Sequence, residues 1–240
     1  MELLAGILII FAAYFLKGFS GFGPALIIVP SLSLVYDPVT AITAAALFDF
    51  IGGGILLITV RKEIQWRFVL SIFFALALGA ILGSLLLGTI DTTLLKKIIA
   101  LAILLFSGVI LFQRNNLSQP AHKSIATLKY PVGFISGVLG GLISITGPPL
   151  IIYMKMLYKK EFFRVQLIGI FFLGSGWRFA LYKLNQLPMH ISHGELVIYF
   201  GIMLIGLWIG SKLHVKVNEN IFNKVVALLI LIPAVNLLLS

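Results

Sequence analysis

Three charged side chains and three hydroxyls stand where they could do chemistry in this 240-residue chain. Lys17 and Ser20 precede Gly21-Phe22-Gly23-Pro24, and Ser144 and Thr146 precede Gly147-Pro148. The frame Ser-x-x-Gly-Pro-x-Leu-Ile-Ile therefore occurs twice, with Ser144 lying 124 positions after Ser20. Gly and Pro end a helix, and Pro is tolerated in the first turn of the next. Each copy reads as a break between two helices. A helix that starts at a break aims partial positive charge and free N–H groups into it. Two such ends converging make an anion site without any charged side chain. Ser20, Ser144 and Thr146 add hydroxyl donors. Lys17 stands beside the first break, and Arg178, within Gly174-Ser175-Gly176-Trp177-Arg178, can grip an oxyanion with two parallel N–H bonds. Asp49 alone among the carboxylates falls in the middle of an apolar run. An intramembrane acid faces a partner, a cavity or a proton path, so Asp49 is the candidate coupling acid. The same groups also admit plainer roles: tight helix contacts at the breaks, snorkelling of Lys17 and Arg178, and an ion pair of Asp49 with either cation.

The elements that must position these groups are membrane helices. Hydrophobic residues make up 60% of the chain and charged residues 11%, against about 25% charged in a soluble domain. Apolar runs of membrane-spanning length recur throughout. The expected segments are 3–16 and 25–36 around the first break, then spans 38–60, 68–90 and 93–112. After a linker over 113–130, segments 125–142 and 148–157 flank the second break, followed by spans 163–183, 195–211 and 219–239. A break at membrane depth persists only where it is packed in protein or lines a cavity, and paired breaks in two halves point to a transporter binding site. Glu2 and the lack of Lys or Arg before Lys17 argue against a signal peptide.

The halves repeat beyond the breaks. Gly206-x-x-x-Gly210-Ser211 follows Gly79-x-x-x-Gly83-Ser84 at an offset of 127, and Lys224-Val-Val-Ala-Leu follows Lys97-Ile-Ile-Ala-Leu at that same offset. The expectation is an all-α integral membrane protein of two inverted-topology repeats, 1–116 and 117–240, each a broken helix pair plus three transmembrane helices. Charge tests the topology. If each broken pair returns to its starting side, Arg61, Lys62, Arg67, Arg114, Lys123, Lys129, Lys155, Lys159, Lys160, Arg164, Lys212, Lys216 and Lys224 share one side, and Lys96, Lys97 and Lys183 the other. This 13 to 3 split puts the 113–130 linker in the cytoplasm and both termini outside an inner membrane. Whether the broken pairs are re-entrant or fully crossing stays open.

Several chemistries drop out. The chain has no Cys, which excludes thiol catalysis, disulfides and Cys-based metal sites. Its net charge of +10 belongs to loops between apolar runs, so nucleic acid is not an expected partner. His190-x-x-His193-x-Glu195 is too sparse for a metal site, and no cofactor motif, nucleophile elbow or paired catalytic carboxylates occur. A homo-oligomer is compatible with the composition.

The breaks resemble the glycine-rich motifs of the TauE/SafE family, the sulfite exporters and toluene sulfonate uptake permeases. The residues that carry the resemblance are Gly18-Phe19-Ser20-Gly21-Phe22-Gly23 followed by Pro30, and Gly137 to Gly141 followed by Gly147-Pro148-Pro149. It runs over nearly the whole chain, with departures at Pro24 and Arg178. The resemblance implies transport of sulfur-containing anions such as sulfite, sulfonates or sulfoacetate. The expected function is secondary transport of such small anions by alternating access around a midplane site, with proton coupling through Asp49. Its rivals are an uncoupled anion channel and a membrane-embedded enzyme.

Overall fold

The computed structural model describes residues 2–20, 23–112, 127–158, 160–213 and 230–239. All regular structure among them is helical: α1 Glu2–Ser20, α2 Ala25–Leu32, α3 Pro38–Val60, α4 Trp66–Leu87, α5 Thr92–Phe112, α6 Lys129–Ile143, α7 Gly147–Leu157, α8 Lys160–Leu184, α9 His193–Leu213, and α10 Ile230–Leu239. Four of these helices, α3, α4, α8 and α9, are long and apolar enough to cross a membrane. The expected span boundaries hold to within a few residues. The first arm is longer than expected: α1 carries Lys17 and Ser20 inside its last turn instead of ending near residue 16. Gly21, Phe22 and residues 113–126 and 219–229 of the expected segments lie outside the described residues.

The chain forms two compact units, each drawing on both halves of the sequence. One comprises Met1–Phe48, Ile90–Gln113 and Leu187–Ser240. It holds α1, α2, the first half of α3, α5, α9 and α10. The other comprises Asp49–Thr89 and Arg114–Gln186, with the second half of α3, α4, α6, α7 and α8.

The second unit is built on a close pair, α4 against α6. A Cβ on Gly79 would overlap the Phe134 carbonyl, and one on Gly83 the Val138 carbonyl. In return, Gly137 sits on Leu76 and Gly141 on the Ala80 carbonyl and Ser84 amide. Partner numbers rise together along both helices, so α4 and α6 run parallel. Backbones come this close only where small residues face one another. The first unit is built on α1 against α9 in the same way. Gly206 meets the Phe11 carbonyl, Gly210 the Phe15 carbonyl, and Gly18 the Leu207 carbonyl and Ser211 amide. Adding 123 to each α1 position and subtracting 127 from each α9 position turns one contact set into the other. The internal repeat thus extends to which backbone atoms touch.

α8 completes the second unit. Phe172 packs on Gly53 and Gly54, and its ring stacks on Phe50 at 5.0 Å. Gln166 ties the turn before α4 to α8, accepting from the Gln65 N–H at 2.8 Å and donating to the Glu63 carbonyl at 3.1 Å.

Candidate functional site: the two helix breaks and a buried arginine

Each unit contains one break. In the second unit, α6 ends at Ile143 and Ser144 takes a left-handed conformation, with φ at 58°. Left-handed backbone is uncommon for a residue with a side chain and persists where its surroundings dictate it. The expected arms end at 142 and begin at 148, within one residue of the observed Ile143 and Gly147, but the left-handed residue of the break is Ser144 and not a glycine. The contact register explains the difference. Gly18 is the counterpart of Gly141, yet Ser20 follows it by two residues and Ser144 by three. The added residue leaves Ser144 past the end of the helix, whereas Ser20 is the last residue of α1. In the first unit the left-handed residue is Gly23, with φ at 88°, and Pro24 caps α2.

Amide donors at the two helix starts are fewer than the sequence suggested. Pro148 and Pro149 have no N–H, so the first turn of α7 offers the amide of Gly147 and little else. At α2 the Leu26 N–H donates to the Gly23 carbonyl at 3.2 Å, and the Ile27 and Ile28 N–H groups to the Pro24 carbonyl at 3.0 and 2.8 Å. The two helix starts therefore offer few free amides, and further donors at the breaks come from side chains.

The second unit supplies those side chains. Arg178 on α8 is 1% exposed. Its Nη1 donates to Thr146 Oγ1 across a long 3.4 Å. Arg178 Nε and Ser144 Oγ are both buried without a hydrogen-bond partner among the described residues. Buried polar groups are nearly always satisfied, and exceptions mark strain or a place where a ligand, water or ion binds. One turn beyond Arg178, Tyr182 places its hydroxyl 2.9 Å from the Gly140 carbonyl and 3.0 Å from that of Gly141. The Gly140 carbonyl also accepts from the Ser144 N–H at 2.8 Å, whereas that of Gly141 lies in the last turn of α6, where carbonyls lack helical partners. The i, i+4 spacing on α8 thus brings a cation to the break and covers its exposed carbonyls. Gly140 is the clearing that makes this fit. A Cβ there would overlap the Thr146 methyl and approach the Arg178 side chain to 3.3 Å.

The contact register makes Lys17 the counterpart of Gly140, so the first unit carries a cation where the second has a gap. Lys17 is 4% exposed, with its Nζ 5.5 Å from the centre of the Tyr14 ring. Lys17 and Arg178 are the two buried cations among the described residues, one in each unit. Asp49 falls at the midpoint of α3, half-buried, and its carboxylate acts electrostatically on Arg178 within the second unit. Gly21 and Phe22 lie outside the described residues. The unpaired Ser144 hydroxyl and the Tyr182 clamp were not legible from motifs, because both follow from the local path of the break.

His190, His193 and Glu195 do not form a metal set. His190 Nδ1 lies 3.0 Å from Asp37 Oδ2, and its N–H donates to Thr40 Oγ1 at 3.0 Å. Glu195 closes a capping box on Ser192 at the start of α9 and accepts from Tyr36 Oη at 2.9 Å. Ser192-His193-Gly194-Glu195 spells that box in the sequence.

Among known proteins, the family model described as Sulfite exporter TauE/SafE matches residues 6–237. No curated protein and no solved structure matches the chain.

Proposed function

Because the chain belongs to the sulfite exporter TauE/SafE family, we propose that this multi-pass membrane protein is a secondary transporter of small sulfur oxyanions and organosulfonates. The observation that carries the reading is the buried Arg178, whose Nε is unpaired beside a break where Ser144 Oγ is unpaired as well. Arg178, Ser144, Thr146, Gly147 and Pro148 are the substrate-binding residues in the second unit, and Lys17, Ser20, Gly21, Phe22, Gly23 and Pro24 are those in the first. Asp49 takes up the coupling proton: an anion arriving beside Arg178 favours protonation of a nearby acid, so anion and proton assist each other.

The repeats 1–116 and 117–240 are inverted in an inner membrane, with both termini outside and alternating access around a midplane site. The 13 to 3 division of Lys and Arg and the duplicated helix-pair register support this arrangement. The test is uptake of radiolabelled sulfite into proteoliposomes under an imposed pH gradient. A carrier accumulates sulfite above the outside concentration when the gradient is present. Equilibration without accumulation, gradient or not, would replace the carrier by a channel.

A further inference from the structure

Among the described residues of the second unit, Ser136, Ser144 and Arg178 hold a buried polar side-chain atom without a hydrogen-bond partner. Ser144 and Arg178 meet at the break, but Ser136 lies about two turns earlier, inside α6. A hydroxyl on a helix can turn back onto a carbonyl three or four residues before it. Thr59, Ser71, Ser84 and Ser175 of this unit all do so, at 2.6, 2.7, 2.9 and 2.7 Å. Ser136, fully buried, does not. Positions 136, 140 and 144 follow one another at spacings of four, so they share one side of α6 and its end. Gly140, in the middle, is where Thr146 and Arg178 close in. On α8, Gly174 makes a second clearing: a Cβ there would lie 3.6 Å from Arg178 Nη1 and 3.2 Å from a Leu76 methyl. Leu76 also meets Gly137, the neighbour of Ser136, so Ser136 and Gly174 lie at about one height in the unit. The guanidinium therefore hangs between the levels of Ser136 and Ser144, with Nη1 on Thr146 and Nε unpaired.

Resting on the proposed transport function, we propose that Ser136 forms a second station for the transported sulfur oxyanion. The first station is the break, with Ser144 and Thr146. The second lies one turn from Gly140 in the opposite direction, toward the Lys129 end of α6. Hydroxyls eight residues apart are roughly 12 Å apart along a helical rise, more than one sulfite spans. The anion therefore passes from one hydroxyl to the other, and Arg178 stays beside it at both. Both stations lean on that one guanidinium, so filling one excludes the other.

The chain has no Cys, so Ser136→Cys gives the purified protein a single thiol. Its reaction with the anionic sulfonatoethyl methanethiosulfonate is compared with that of the cationic trimethylammonioethyl analogue, each relative to free cysteine. The expected result is a preference for the anionic reagent of at least about tenfold, which one nearby opposite charge readily supplies. Adding Arg178→Gln should remove the preference. No reaction, a cationic preference, or a preference that survives Arg178→Gln overturns the second station. In proteoliposomes, sulfite flux through Ser136→Ala should fall about tenfold, the scale of one lost hydrogen bond to a charged group. The anion-free variant should melt no lower than the unaltered protein, because an unpaired hydroxyl has no bond to lose. Unchanged flux would mean that water alone satisfies the hydroxyl, and a lowered melting temperature that it holds the fold. Either overturns the station and leaves the transporter. Absence of sulfite flux in the unaltered protein sinks the station and the transport reading together.

Discussion

A single glycine decides how Arg178 meets the break. Gly140 has room for no side chain, since Thr146 and Arg178 fill the space where a Cβ would go. Gly140→Ala is expected to displace both and weaken sulfite binding by about tenfold, for which a strain of about 1.4 kcal/mol suffices. Calorimetric titration of the variant checks this, and an unchanged affinity would remove Gly140 from the site. Tyr182→Phe withdraws the hydroxyl beside the Gly140 and Gly141 carbonyls. A buried acceptor left unpaired costs about 1–3 kcal/mol, so the purified variant should melt at a lower temperature. Much at this scale was readable beforehand. Ser192-x-x-Glu195 spells the cap of α9, and Pro148-Pro149 limits the amides that the start of α7 can offer, which the duplicated frame alone does not convey. The Asp37–His190 pair was not readable, because it joins residues far apart in sequence through the fold of one unit.

Helix pairing rests on small residues in register. Gly79 and Gly83 press on carbonyls of α6, and Gly206 and Gly210 press on carbonyls of α1. Gly83→Leu should separate α4 from α6 and destabilise the protein by about 2 kcal/mol or more. Gly201→Leu on the open face of α9, where a Cβ meets nothing within 4 Å, should leave the melting temperature unchanged. The small-xxx-small spacing was legible, but its partner was not. Neighbours in sequence would pair within a half, whereas α4 pairs with α6 and α9 with α1. At the entry to α3, Asp37 accepts from the Thr40 N–H at 2.8 Å and capping stabilises the helix. Burial raises the Asp37 pKa, but hydrogen bonds from Thr40 and His190 outweigh it and hold the carboxyl below its usual value. A carboxyl whose folded pKa is lowered stabilises the fold above its unfolded pKa. That stabilisation is lost as the pH falls through the lower, folded value. Melting curves against pH should show this acid-side loss in the unaltered protein and a smaller one in Asp37→Asn.

Among the described residues, each unit has one close parallel helix pair, one break and one buried cation. The sequence made the duplication visible through its offsets of 124 and 127. It did not reveal that the compact units exchange helices between halves, because periodicity identifies helices and not their neighbours. Membrane orientation is testable directly, since the chain has no Cys of its own. Single Cys residues at Ser118 and Ser240 should behave oppositely toward a membrane-impermeant reagent in intact cells, with 240 labelled and 118 protected. Labelling of 118 but not 240 would reverse the arrangement. The central claim is that the transported anion is held by Arg178 at the α6–α7 break. The most direct measurement is sulfite flux into proteoliposomes containing Arg178→Gln, with protein insertion verified and Arg178→Lys alongside. The account predicts flux near background for Gln, and partial flux with a raised KM for Lys, which keeps the charge but loses the fork. Flux of Arg178→Gln equal to that of the unaltered protein, at the same KM, would contradict it.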